Sequence, residues 1–166
     1  MEPGQEIKIN FYSTPFCRFC YISNMKKLIL LFCICLVTFS CKNENKEPWN
    51  NNQLIDPFEL SESIIHNKSY LIYSIGPAAI IKNSIDIGET RHEENLNKLK
   101  KKLASNSNKS EIIFYCGCCP FNDCPNIRPA FSLANSLGFK NHKLLNLADN
   151  LKSDWIDRNY PIQQID

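Results

Sequence analysis

Residues 111–128 read EIIFYCGCCPFNDCPNIR, and the reading of this stretch decides the fold. Ile112-Ile113-Phe114-Tyr115 is uncharged, β-branched and aromatic, the composition of a short buried strand. It stops at Cys116. A loop carrying Cys118, Cys119 and Cys124 follows, and Pro125 is suited to the first position of a helix. Four thiols within nine residues point to a nucleophile with its neighbours, a soft-metal site or disulfide chemistry.

Working outward, a helix is expected from Pro125 to Leu137, closed by Gly138, then a strand over Phe139–Leu145 and a helical turn from Trp155 to Tyr160. Upstream, Asp56-Pro57 is an N-cap followed by a proline, so a short helix should run to His66. Ser69–Ile75 is strand-like and is stopped by Gly76-Pro77. Ile80–Ile87 is a second extended piece. Leu96, Leu99 and Leu103 recur three and four residues apart and predict an amphipathic helix over Glu93–Leu103. Strands alternating with helices over about 110 residues imply a single α/β domain, residues 53–166, with a mostly parallel central sheet flanked by helices. Sites in such sheets lie beyond the carboxyl ends of strands, where Cys116 stands.

The chain has 166 residues, is 43% hydrophobic and 22% charged, and carries a net charge of +2, too little to argue for a nucleic-acid partner. Its densest basic cluster, Lys98 to Lys102, follows Glu93 and Glu94 and reads as a solvated helix face. His66, His92 and His142 read as surface residues, since none has a second ligand type nearby. There is no glycine-rich phosphate loop, no HExxH and no serine nucleophile elbow.

The first forty residues read as a leader. Met25-Lys26-Lys27 precedes an apolar run from Leu28 to Phe39, twelve residues against the roughly 20 of a membrane span. The run ends Thr38-Phe39-Ser40-Cys41 and resembles a bacterial lipoprotein signal. That resemblance implies lipidation at Cys41 and an exported protein, anchored to a membrane by its lipid and facing the periplasm or cell surface. Residues 25–40 are then the signal peptide and residues 1–24 an extension from a misplaced start, whose Cys17 and Cys20 lack the βαβ setting of a redox motif. Residues 41–52, polar and Asn-rich, read as a flexible tether, with Trp49 a possible packing contact at the domain's edge. Without residues 1–40 the chain has fifteen basic and fifteen acidic residues.

From Leu54 to Ile162 the domain resembles a single-domain rhodanese-like sulfurtransferase. The residues that carry the likeness are Tyr115-Cys116, the helix end Leu137-Gly138-Phe139, Asp154-Trp155, and Asn159-Tyr160-Pro161-Ile162, where Asn159 replaces the family's usual glycine. Ile81-Lys82-Asn83-Ser84-Ile85 is similar to a family segment with Gly and Ala where Asn83 and Ser84 stand. The resemblance makes Cys116 the persulfide-carrying catalytic cysteine. It implies a small sulfur donor and a thiol acceptor, no required cofactor, and an anion-binding role for Arg128, the one cation near the loop. Two places depart from the family pattern. Tyr73-Ser74-Ile75-Gly76-Pro77 lacks the usual Asp-Val-Arg triplet, and the loop is longer and holds three further thiols.

Four readings of the loop follow. Cys116 transfers sulfur while Cys118, Cys119 and Cys124 assist or resolve it, with Cys124, placed at the helix N-cap, as second nucleophile. Alternatively the four thiols hold zinc or copper(I), although their C-x-C-C-x4-C spacing differs from paired zinc knuckles. They could instead brace the loop as two disulfides, or the domain could be a non-catalytic binding module.

Overall fold

The computed structural model describes residues 47–164. The leader, the signal peptide, Cys41 and the tether as far as Lys46 lie outside the described residues. Among the described residues, no helix is long and apolar enough to cross a membrane.

Five strands form the sheet: β1 (Leu54–Ile55), β2 (Leu71–Ser74), β3 (Ser84–Asp86), β4 (Ile112–Tyr115) and β5 (His142–Leu145). Their order is β1-β5-β4-β2-β3 and every pair is parallel. The α/β class and mostly parallel sheet expected from the sequence are therefore those observed. The central strand β4 is buried at all four positions, as an apolar run covered on both faces must be.

Alternation along β4 sends Ile112 and Phe114 to one face and Ile113 and Tyr115 to the other. The first face packs on α2 (Glu93–Ala104) through Leu99 and Leu103, and on α3 (Ile127–Ser136) through Ile127, Phe131 and Ala134. The second packs on α1 (Pro57–Ile65) through Leu60 and Ile64, and on Trp155 in a π-helical turn (Lys152–Ile156). Asp56 caps α1, its side chain accepting from the Phe58 N–H at 2.8 Å. Gly138, at φ 81°, ends α3 as expected.

Three expectations shift. The α3 helix begins at Ile127, two residues later than read, with Asn126 as its N-cap. Cys124 is extended (φ −75°, ψ 119°), as the residue before a proline tends to be, so it is not the cap. His142 is not on the surface but 1% exposed, because β5 runs through the interior and this position faces Phe114 and Phe131. The residues just before 53 pack on the domain as well. Trp49 packs on Phe121 and Phe131 (ring centroids 6.3 and 5.7 Å), and Asn50 caps a 3-10 turn over Asn51–Gln53.

The chain closes on itself at the far edge. Ile162 bridges Ile81, Gln163 N–H donates to the Ile80 carbonyl at 2.8 Å, and the Trp155 indole donates to the Pro161 carbonyl at 3.0 Å. Beneath this seam the buried Tyr115 hydroxyl accepts the backbone N–H groups of Ile80 (2.9 Å) and Ile81 (3.2 Å). The last residue of β4 thus anchors the segment that crosses beside the site.

Candidate active site at the end of the central strand

Cys116 follows directly on β4 and is 1% exposed. Neighbouring carboxyl ends enclose it. Gly76, just beyond β2, lies so close that a Cβ there would stand 2.8 Å from the Cys116 sulfur. Any side chain at position 76 would displace the thiol.

The other three thiols are gathered here. Cys116 Sγ lies 3.4 Å from Cys118 Sγ, and Cys118 Sγ lies 3.3 Å from Cys119 Sγ. The sulfurs of Cys116, Cys118 and Cys124 all lie within 4.8 Å of one another. All four cysteines are free; Cys116 and Cys124 are buried, Cys119 is half-buried and Cys118 is exposed. The closest sulfur pairs are well beyond the roughly 2.05 Å of a disulfide bond.

Asn126 completes the enclosure and was not singled out from the sequence. Its side chain does not cap α3. The amide instead donates to Cys116 Sγ at 3.5 Å, while its Oδ1 accepts the Arg91 N–H at 3.1 Å. Its carbonyl accepts the buried Thr90 hydroxyl at 2.5 Å. Asn126 is therefore clamped from the α2 side and cannot turn away from the thiol. A helix-start asparagine immediately after Cys-Pro was the available signal.

These neighbours set the charge of the sulfur. The Cys116 pKa is lowered to about 5, first by the Cys124 thiol, against burial, and with the help of Asn126 and of the Cys118 N–H and thiol. Cys118 is raised to about 12 by burial and by its bonds to Cys119 and Cys116. Cys124 is raised, chiefly through its interaction with Cys116 and then through burial. Cys124 is the protonated donor of this pair, and Cys116 carries the thiolate.

Arg128 points elsewhere. Its guanidinium pairs with Glu47 at 2.5 Å, donates to the Asn122 carbonyl at 2.9 Å and lies 5.7 Å from the Trp49 ring. It fastens the N-terminal segment onto the loop, and the sulfur receives neutral donors instead.

The sequence matches no family model and no curated protein. Solved structures do resemble the chain. One is the solution structure of the rhodanese-like domain of the Alr3790 protein from Anabaena sp., with a TM-score of 0.49 at 15% identity over 68% of this chain and 80% of that one. Another is a variant of EanB in complex with hercynine, with a TM-score of 0.50 at 15% identity over 72% of this chain and 29% of that one. At that identity the likeness is one of fold. The fold and the clustered thiols at a strand end are what this chain presents in common between sequence and structure.

Proposed function

We propose that the protein is a rhodanese-like sulfurtransferase that carries sulfane sulfur as a persulfide on Cys116. The observation that carries this reading is a buried thiol at the carboxyl end of a parallel strand, ringed by the neutral donors Asn126, Cys118 and Cys124, which lower its pKa to about 5. Such a thiolate attacks the outer sulfur of a donor such as thiosulfate. The Cys116–sulfur bond forms, the donor's sulfur–sulfur bond breaks, and sulfite leaves with the electron pair. Attack by cyanide or a thiol on the outer sulfur then restores the Cys116 thiolate. Asn126, Cys118 and Cys124 stabilise that thiolate when it departs. In this reading the domain works outside the cytoplasm, on a lipid anchor at Cys41.

Thiocyanate formation from thiosulfate and cyanide is the test. It should fall to background in Cys116→Ser. Undiminished turnover in that variant would remove Cys116 from the role.

A second reading is supported by the donor set. Cys116, Cys118 and Cys124 place three sulfurs within 4.8 Å, and Cys119 adjoins them. An all-sulfur set suits zinc or copper(I), whose chemistry here would be to hold the loop closed. Elemental analysis of protein purified without chelator should then find metal in stoichiometric amount, lost in Cys118→Ser. Absence of metal would dispose of this reading.

A further inference from the structure

We propose that Cys118 is the port through which sulfane sulfur leaves the buried Cys116 for thiol acceptors too large to enter the site. The proposal rests on the sulfurtransferase reading and adds a residue and an acceptor class to it. Cys116 is enclosed by Gly76, Cys124, Asn126 and Cys118, and only the last of these is exposed. A diatomic acceptor such as cyanide can reach a sulfur in such a place. A peptide or protein thiol, which brings its own backbone, cannot.

Cys118 stands in contact with the closed site and with solvent at once. Its sulfur is 3.4 Å from that of Cys116. A sulfur–sulfur bond is about 2 Å long, so a second sulfur on Cys116 falls within reach of Cys118 without movement of the strand. Cys119 is placed differently: its sulfur touches Cys118, and it is half-buried. Cys124 is fully buried and has no outlet.

The transfer is redox-neutral. The Cys118 thiol gives its proton to the terminal sulfur of the Cys116 persulfide, and the resulting thiolate attacks that terminal sulfur. The bond between Cys116 Sγ and the sulfane sulfur breaks as the bond to Cys118 Sγ forms. The electron pair stays on Cys116, which returns to the thiolate that Asn126 and Cys124 already solvate. Cys118 now bears the persulfide at the surface. An external thiol takes the sulfur from there by the same exchange, and Cys118 recovers a proton from the acceptor.

Single-turnover discharge of the full chain tests this. Protein loaded with thiosulfate and freed of donor is discharged with cyanide in one arm and with glutathione in the other. Serine at 118 keeps a hydrogen-bond donor beside Cys116, so Cys118→Ser should still load with sulfur, and it should slow discharge to glutathione about tenfold more than it slows discharge to cyanide. In the unaltered protein, alkylation followed by fragment mass analysis should find the extra sulfur on Cys118 as well as Cys116. Glutathione discharge of Cys118→Ser at the unaltered rate would overturn the relay while leaving sulfur transfer intact. Thiocyanate formation by Cys116→Ser would instead overturn the reading beneath it.

Discussion

The two ends of β4 each hold a buried titratable group, and they are treated in opposite ways. Cys116 follows the last residue of the strand; His142, on β5, pairs in register with the first, Ile112. Both are 1% exposed. At Cys116 donors outweigh burial and the charged form is kept. At His142 neither ring nitrogen has a hydrogen-bond partner among the described residues, and the ring packs at a tilt against Phe131 with centroids 4.3 Å apart. Burial, then Lys140, lowers the His142 pKa, offset in small part by the Phe139 backbone, and the neutral form is kept. Burial favours neutrality at both ends. Only the carboxyl end, where loops rather than ladder positions surround the group, has polar groups to spare against it.

Removing those polar groups should make the carboxyl end behave like the other. In the unaltered protein, alkylation of Cys116 should rise with pH through an inflection near 5. Cys124→Ala removes the largest cause of the lowered value and should move the inflection up by about two pH units, the worth of a hydrogen bond to a charged group. Asn126→Leu removes a smaller one and should move it by about one unit. An inflection that stays put in both variants would mean that neither donor holds the thiolate.

The His142 end calls for the reverse measurement, stability against pH. An imidazole whose folded pKa lies below its unfolded value of about 6.5 binds protons more readily when unfolded. Its contribution is therefore present above pH 6.5 and declines as pH falls from there through the folded pKa. Urea denaturation between pH 7 and 5 should show this decline, with a slope of at most about 1.4 kcal/mol per pH unit from this group. His142→Leu keeps the apolar contacts and should flatten it. A variant that loses stability on acidification as steeply as the unaltered protein would place the acid sensitivity elsewhere.

The same contrast separates what was legible in the sequence from what was not. Strand β4 could be read from Ile112 to its stop at Cys116, helix α1 from Asp56-Pro57, and α2 from its leucine spacing, because each signal is local. Position 142 could not be read, because a histidine looks polar and only the pairing of β5 against β4 shows that it points inward. The four thiols were visible as a cluster, but not the division of labour among them. That division depends on Asn126, which is fixed by Thr90 and Arg91 some 35 residues away in sequence, and on the absence of a side chain at Gly76. Arg128 shows the same limit: it stands near the loop in sequence, yet Glu47 draws it away.

Smallest in expected effect, yet most direct as a check on the fold, are the asparagines that stand where the family resemblance has glycine. Asn83 and Asn159 have φ of 64° and 57°, the left-handed region that glycine enters freely and asparagine tolerates better than other side chains. Both lie beside the seam where the chain closes, next to the Ile81–Ile162 bridge. Asn159→Gly should leave stability within about 0.5 kcal/mol of the unaltered protein, since glycine gains backbone ease and loses unfolded-state restriction in similar measure. Asn159→Ala should cost about 1 kcal/mol, because alanine meets the left-handed penalty without asparagine's local hydrogen bonding. Equal stability of the alanine and glycine variants in urea denaturation would show that the turn does not hold its left-handed residue, and with it the parallel between these asparagines and the family's glycines would fail.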